Sequence, residues 1–206
     1  MKNMGMERIP TIGEAEEMLK EAEQLNPGPW VQHSLYVAQG AKLIAGYCEG
    51  MNAEVAYIVG LLHDLGRRFG ITAMRHMLDG HNYAKEKGYE FVAKICITHS
   101  CPTKNIEEAG KWDCNEAEYE FVKDFLATVE YDDYDRLIQL CDSLALPNGF
   151  TLLEKRLIDV ALRHGVNEHT VPKWKAILGV KQYFENKMGK SVYDILPRVI
   201  ENTFQV

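Results

Sequence analysis

Apolar residues recur along this chain at intervals of three and four, the period of helices buried on one face. Ile12, Ala15, Met18, Leu19 and Ala22 mark the first such stripe. Thr11-Ile-Gly-Glu14 ahead of it has the form of a capping box, so a helix is predicted from there to about Leu25. Asn26-Pro-Gly-Pro29 breaks it. A second helix is predicted from Trp30 to Cys48, and a third from an Asn52 cap to Leu65, stopped by Gly66. Within the third, Val55-Ala-Tyr-Ile-Val-Gly-Leu-Leu62 is apolar nearly all round, the pattern of a central, buried helix. Shorter helices are predicted over 71–78, 80–87 and 89–98, and Asn115 with Glu118 opens one running to about Val129. Further helices are predicted over 133–146, 151–164, 171–188 and 191–204, and no stretch alternates as a strand would. The predicted fold class is all-α. No repeat, low-complexity stretch or long linker divides the chain, so residues 1–206 read as one domain with a helical extension over about 166–206.

Polar residues that interrupt the apolar faces carry the candidate chemistry. Five of the seven histidines, His33, His63, His76, His81 and His99, fall in one third of the sequence, with His164 and His169 outside it. His33 shares a helix face with Val37, Gly40 and Ile44, which suits either a core histidine with one hydrogen bond or a ligand. His63 and Asp64 follow the apolar run directly. As neighbours on a helix they point about 100° apart, so they can close on one ion from two sides of a groove. A carboxylate at the carboxyl end of a buried helix is disfavoured by the helix dipole and needs a base or a metal. Asp142, between Ile138 and Ala145 on its helix face, poses the same choice. Two neutral imidazoles and two carboxylates together suit Fe, Mn, Co, Ni or Zn, and Mg less, because Mg prefers all-oxygen shells.

The order His33, then His63-Asp64, then Asp142 resembles the H…HD…D signature of the HD superfamily of metal-dependent phosphohydrolases. Gly60-Leu-Leu-His-Asp-Leu-Gly66 is similar to the usual setting of the doublet, and Pro27-Gly-Pro-Trp-Val-Gln-His33-Ser34 resembles the start of a bacterial subgroup. The resemblance spans roughly residues 11–165, with the signature core at about 28–146. It implies a helical HD-domain fold, the four ligands His33, His63, Asp64 and Asp142, and one or two divalent ions, with Asp64 bridging a pair. His76, in Arg75-His-Met-Leu-Asp-Gly80, and His99, in Ile97-Thr-His-Ser100, are similar to the extra histidines of two-metal members. For His76 the alternative is a surface position, and for His99 a helix end meeting the dipole. His81 matches no family position.

The implied activity is hydrolysis of a small phosphate ester, a nucleotide or related phosphomonoester or diester, by metal-activated water. Asp64, His76 and His99 would then be catalytic, either histidine serving as base if one ion is present. Arg67 and Arg68 follow the doublet and are expected on the substrate phosphate, the alternative being a solvated pair at a helix end. Lys104 is a further candidate for the phosphate, and Arg156 reads as structural. The family resemblance also allows a di-iron oxygenase using O₂, or a non-catalytic sensor or binding module.

Charge narrows the partners. A net charge of −7 repels polyphosphate, so a nucleic acid polymer is not expected, whereas a small phosphorylated substrate is acceptable where a metal reverses the local field. Five cysteines, an odd number without C-x-x-C spacing, argue against disulfides or a zinc ribbon and suit reduced thiols in a cytoplasmic protein. MKNMGMERIP lacks a hydrophobic signal region, and apolar runs such as Val59 to Leu62 are too short for a membrane span. There is no Gly-rich phosphate loop and no dinucleotide fingerprint. The helices after about residue 166 are expected either to pack over the site or to form a homodimer interface.

Overall fold

The computed structural model describes residues 8–205; residues 1–7 of the stretch read for a signal region lie outside them. Helix α1 (Ile12–Leu25) starts where its capping box sits: the Glu14 N–H donates to Thr11 Oγ1 at 3.2 Å, and the Thr11 N–H donates to the Glu14 carboxylate at 2.7 Å. Helix α2 (Pro29–Gly46) begins with proline at a position that needs no N–H donor. Helix α3 (Ala53–Leu62) is capped by the Asn52 side chain, which accepts from Glu54 and Val55. These two helices approach so closely that a Cβ on Gly60 would lie 2.9 Å from Ala38 Cα. That approach brings the start of α2, with His33, against the end of α3, with His63.

The third helix ends earlier than its pattern predicts. It stops at Leu62; Asp64 leaves helical geometry at φ −99°, ψ 14°, and Leu65–Phe69 form a 3₁₀ turn. The reason lies in the next helix, α4 (Arg75–Glu86). Gly66 rests directly on its backbone, so that an added Cβ would occupy the space of the His76 carbonyl and the Gly80 N–H. The same contact corrects a second expectation. The helices predicted over 71–78 and 80–87 are the single helix α4, with Gly80 inside it because the backbone of Gly66 passes there. A glycine that sequence reading takes for punctuation is here a close approach.

Helix α5 (Glu90–Thr98) packs on α4, a short 3₁₀ turn absent from the predicted pattern follows at Ile106–Ala109, and α6 (Glu116–Thr128) opens on the expected Asn115–Glu118 box. Helix α7 (Asp133–Leu144) packs against α2, α3 and α5, which makes it the central wall of the site. It ends in a hairpin of two-residue strands, β1 (Ala145–Leu146) and β2 (Gly149–Phe150), too short to produce an alternating pattern. Gly149 turns the hairpin at φ +140°, a conformation open to glycine, and Phe150 is buried against Gly40 and Tyr36 of α2.

The C-terminal part comprises α8 (Leu153–His164), α9 (Thr170–Met188), α10 (Val192–Ile195) and α11 (Val199–Phe204). One helix was expected over 191–204; Pro197 divides it, since Leu196 before it is extended at ψ 130° and proline offers no N–H. These helices pack on α7 and the hairpin, and Ile177, Phe184, Val192, Leu196 and Val199 join the main core around α2, α3 and α7. Each such large side chain contributes about 1.5–3 kcal/mol on burial. The fold is all-α apart from the hairpin. No helix among the described residues is long and apolar enough to cross a membrane. The five cysteines form no disulfide, and burial pushes the Cys101 thiol up to about 12.

Candidate metal centre

Six side chains from five segments converge where α2, α3, α4, α5 and α7 meet. His33 comes from α2, His63 and Asp64 from the end of α3, His76 from the first turn of α4, His99 from the end of α5, and Asp142 from α7. The ligand atoms of His33, His63 and Asp64 all lie within 4.8 Å of one another, and so do those of Asp64, His76 and His99. Asp64 belongs to both groups. Asp142 completes the first, with Oδ1 2.9 Å from His33 Nε2 and 3.8 Å from His63 Nε2. In the second, Asp64 Oδ1 stands 3.1 Å from His76 Nε2 and 3.7 Å from His99 Nε2. The imidazoles form a continuous array, with ring centroids 5.3 Å apart for His33–His63, 5.0 Å for His63–His99 and 5.6 Å for His76–His99.

The backbone sets which nitrogen of three rings is free. His63 Nδ1 donates to the Gly60 carbonyl at 2.7 Å, His76 Nδ1 to Ala73 at 2.6 Å and His99 Nδ1 to Cys96 at 2.9 Å. A carbonyl only accepts, so the proton is on Nδ1 and each Nε2 presents a lone pair toward Asp64. This carbonyl-oriented imidazole is the arrangement that metal-ligating histidines adopt. His63 Nε2 and Asp64 Oδ1 are buried and have no hydrogen-bond partner among the described residues. Lone pairs of an imidazole and a carboxylate facing each other out of water repel unless a cation or proton lies between them. The donor set therefore fits a divalent ion of the transition series.

Charge in the cluster follows from burial and from Arg67. Burial lowers the His63 imidazole and takes that of His99 down to about 3, so both stay neutral. Burial alone would raise the Asp64 carboxyl, but the Arg67 guanidinium, whose Nε donates to it at 2.6 Å, outweighs burial and holds Asp64 well below the usual carboxylate range. The Asp142 carboxyl is also held low, against burial, with its hydrogen bond to His33 at 2.9 Å the first cause. Neutral imidazoles and ionised carboxylates are the protonation states that bind metal.

The three basic residues proposed from the sequence do not share one location. Arg67 is at the cluster: its Nε donates to Asp64 Oδ2 at 2.6 Å and a terminal nitrogen lies 3.4 Å from His76 Nε2. Arg68 instead lies 3.9 Å above the Tyr83 ring and 4.0 Å from Glu21, clamped between α4 and α1. Successive residues of a tight turn point to different sides, which separates the pair. Lys104 donates to the Val129 carbonyl at 2.6 Å and sits 5.0 Å over the Tyr131 ring, so it too is engaged away from the six donors. Arg156 pairs with Asp159 on its own helix, His81 is packed against Phe121 and Phe125, and His169 pairs with Glu107. Asp135, Thr98 and Gln139, which line the junction of α5 and α7 behind the cluster, were not singled out in the sequence; the one sequence signal is the Asp132-x-x-Asp135 capping box.

A family model described as the HD domain matches residues 30–146, a span that contains all six donors. No curated protein and no solved structure matches the chain.

Proposed function

The chain belongs to the HD domain family, and from that premise we propose that it is a metal-dependent phosphohydrolase acting on a small phosphate ester, a nucleotide or related phosphomonoester or diester. The observation that carries this reading is the position of Asp64, common to two sets of donors that each lie within 4.8 Å. His33, His63, Asp64 and Asp142 would hold one divalent ion, and Asp64, His76 and His99 a second. When bound, such ions lower the pKa of water toward about 7 and polarise a phosphoryl oxygen.

The protein's own groups divide the remaining work. His63, His76 and His99 form the floor, with side chains no more than 2% exposed, and keep bulk water from the reacting centre. The most exposed members are Arg67, at 30%, and Asp142, at 26%, so substrate reaches the cluster between them. Arg67 holds Asp64 through Nε and offers the other edge of its guanidinium to a phosphate oxygen. Asp64 and Asp142 outnumber Arg67 in charge, so an anionic ester is repelled until cations are bound. That ordering makes metal loading a precondition of substrate binding.

Purified protein, stripped with chelator and reloaded with Mn, Fe, Co, Ni or Zn, is to be assayed for phosphate release from p-nitrophenyl phosphate, bis-p-nitrophenyl phosphate and nucleoside monophosphates. The expected result is metal-restored hydrolysis of at least one of them, reduced about a hundredfold or more in Asp64→Ala. Absence of hydrolysis with every metal, in protein that binds them, would overturn the hydrolase reading.

A further inference from the structure

Helix α7 grips Thr98, the residue before His99, through both its side chain and its main-chain carbonyl. The Thr98 hydroxyl donates to Asp135 Oδ1 at 2.7 Å, and Gln139 Nε2 donates to the Thr98 carbonyl at 2.9 Å. Asp135, Gln139 and Asp142 follow one another at four- and three-residue steps, so one face of α7 carries the grip and, one turn further on, the metal-cluster carboxylate. Thr98, Asp135 and Gln139 are each no more than 1% exposed. The Asp135 carboxylate is fully committed: its other oxygen accepts from Lys94 Nζ at 2.7 Å and from the Asp132 N–H at 2.8 Å. Lys94 stands one turn before Thr98 on α5, so α5 is tied to α7 at two successive turns.

An apolar contact between two helices would fix their separation but leave slide and rotation comparatively free. Hydrogen bonds to a main-chain carbonyl and to a hydroxyl on the same residue fix those as well. Burying a carboxylate here is unfavourable before its partners are counted, and apolar residues would pack the junction without that cost. The expense makes sense if register matters. His99 is already locked within α5 by its Nδ1 bond to Cys96, so the placement of its Nε2 against Asp64 depends on where α5 sits.

We propose that Asp135 and Gln139 are positioning residues that set the register of α5 on α7 through Thr98, and thereby hold His99 in place for the second ion. The inference rests on the metal reading given above. It separates the two groups: His33, His63 and Asp142 are carried by α2, α3 and α7, whereas His99 is carried by α5.

The test is calorimetric titration of chelator-stripped protein with MnCl₂. Wild type is expected to take up two ions. Thr98→Val, which keeps the side-chain shape and deletes the hydroxyl, should weaken one of the two binding events by about 10–100-fold and leave the other unchanged. Thr98→Ser should restore it. Gln139→Met serves as the second variant should Thr98→Val not fold, with the same unequal loss expected. Equal weakening of both events, or affinities within about threefold of wild type for both, would overturn the positioning role while leaving the metal reading intact. A wild-type protein that takes up no manganese, or a single ion, would overturn both together.

Discussion

His33 Nε2 lies 2.9 Å from Asp142 Oδ1, a contact that joins α2 to α7 across 109 positions of sequence. It closes the first group of donors and leaves Asp142 as the carboxylate nearest solvent. Asp142→Ala is therefore expected to keep the fold while weakening the ion held with His33 and His63 by about a hundredfold, since a ligand and the partner of another ligand are lost together. Metal titration beside circular dichroism would check it, and unchanged affinity would remove Asp142 from the ligand set.

Gly66 and Gly80 are where the doublet segment meets α4. Gly66→Ala would push a methyl group into the His76 carbonyl, so a loss of about 3 kcal/mol or more is expected in urea unfolding, with His76 displaced. Gly13, on the exposed side of α1, has no atom within 4 Å of its prospective Cβ. Gly13→Ala should instead stabilise by about 0.5–1 kcal/mol. Similar effects at both positions would contradict the close-packing account.

Arg67 and Arg68 are adjacent but differ in surroundings, and their alanine variants should differ accordingly. Arg67→Ala is expected to lower kcat/KM for a phosphomonoester about 10–100-fold, the loss of one charged hydrogen bond to phosphate. Arg68→Ala should leave kcat/KM within about threefold of wild type and cost about 1–2 kcal/mol of stability through the lost stacking on Tyr83. Reversal of the two outcomes would exchange their roles.

Asp133 ties α7 to α9 by accepting from the Tyr183 hydroxyl at 2.8 Å and from Lys187. Burial would raise its carboxyl, but the Lys187 and Tyr183 hydrogen bonds hold it below 3.8. A carboxyl lowered by folding adds stability that is complete above the unfolded value and disappears as pH falls through the folded one. Asp133→Asn is therefore expected to be less stable than wild type by up to about 1 kcal/mol at neutral pH, the difference fading as pH falls below 3.8 and shrinking in high salt. A difference that stays constant across the range would rule out an ionic origin.

What could be read from the sequence was local. The Thr11–Glu14 and Asn115–Glu118 caps are satisfied within one helical turn, and both helices begin where their residues indicate. The imidazoles and carboxylates stood out because apolar helix faces make polar residues conspicuous, and all six meet at one place. What escaped depends on distant partners. The early end of α3 and the continuity of α4 both arise from Gly66 lying on Gly80, a tertiary contact that no periodicity records. Arg68 and Lys104 were expected near phosphate; the Tyr83 ring and the Val129 carbonyl draw them elsewhere. Asp135 reads as an ordinary first-turn acid, and its burial against Thr98 emerges only when α5 and α7 pack.

Asp64 is shared between two groups of donors, and anomalous X-ray diffraction at the manganese edge, from crystals grown with MnCl₂, would locate the ions on either side of it. Two peaks are predicted, one beside His33, His63 and Asp142 and one beside His76 and His99, with the Asp64 carboxylate between them and both intensities reduced in Asp64→Ala. Crystals that bind manganese elsewhere, or not at all, while these six side chains remain without an ion would contradict that placement.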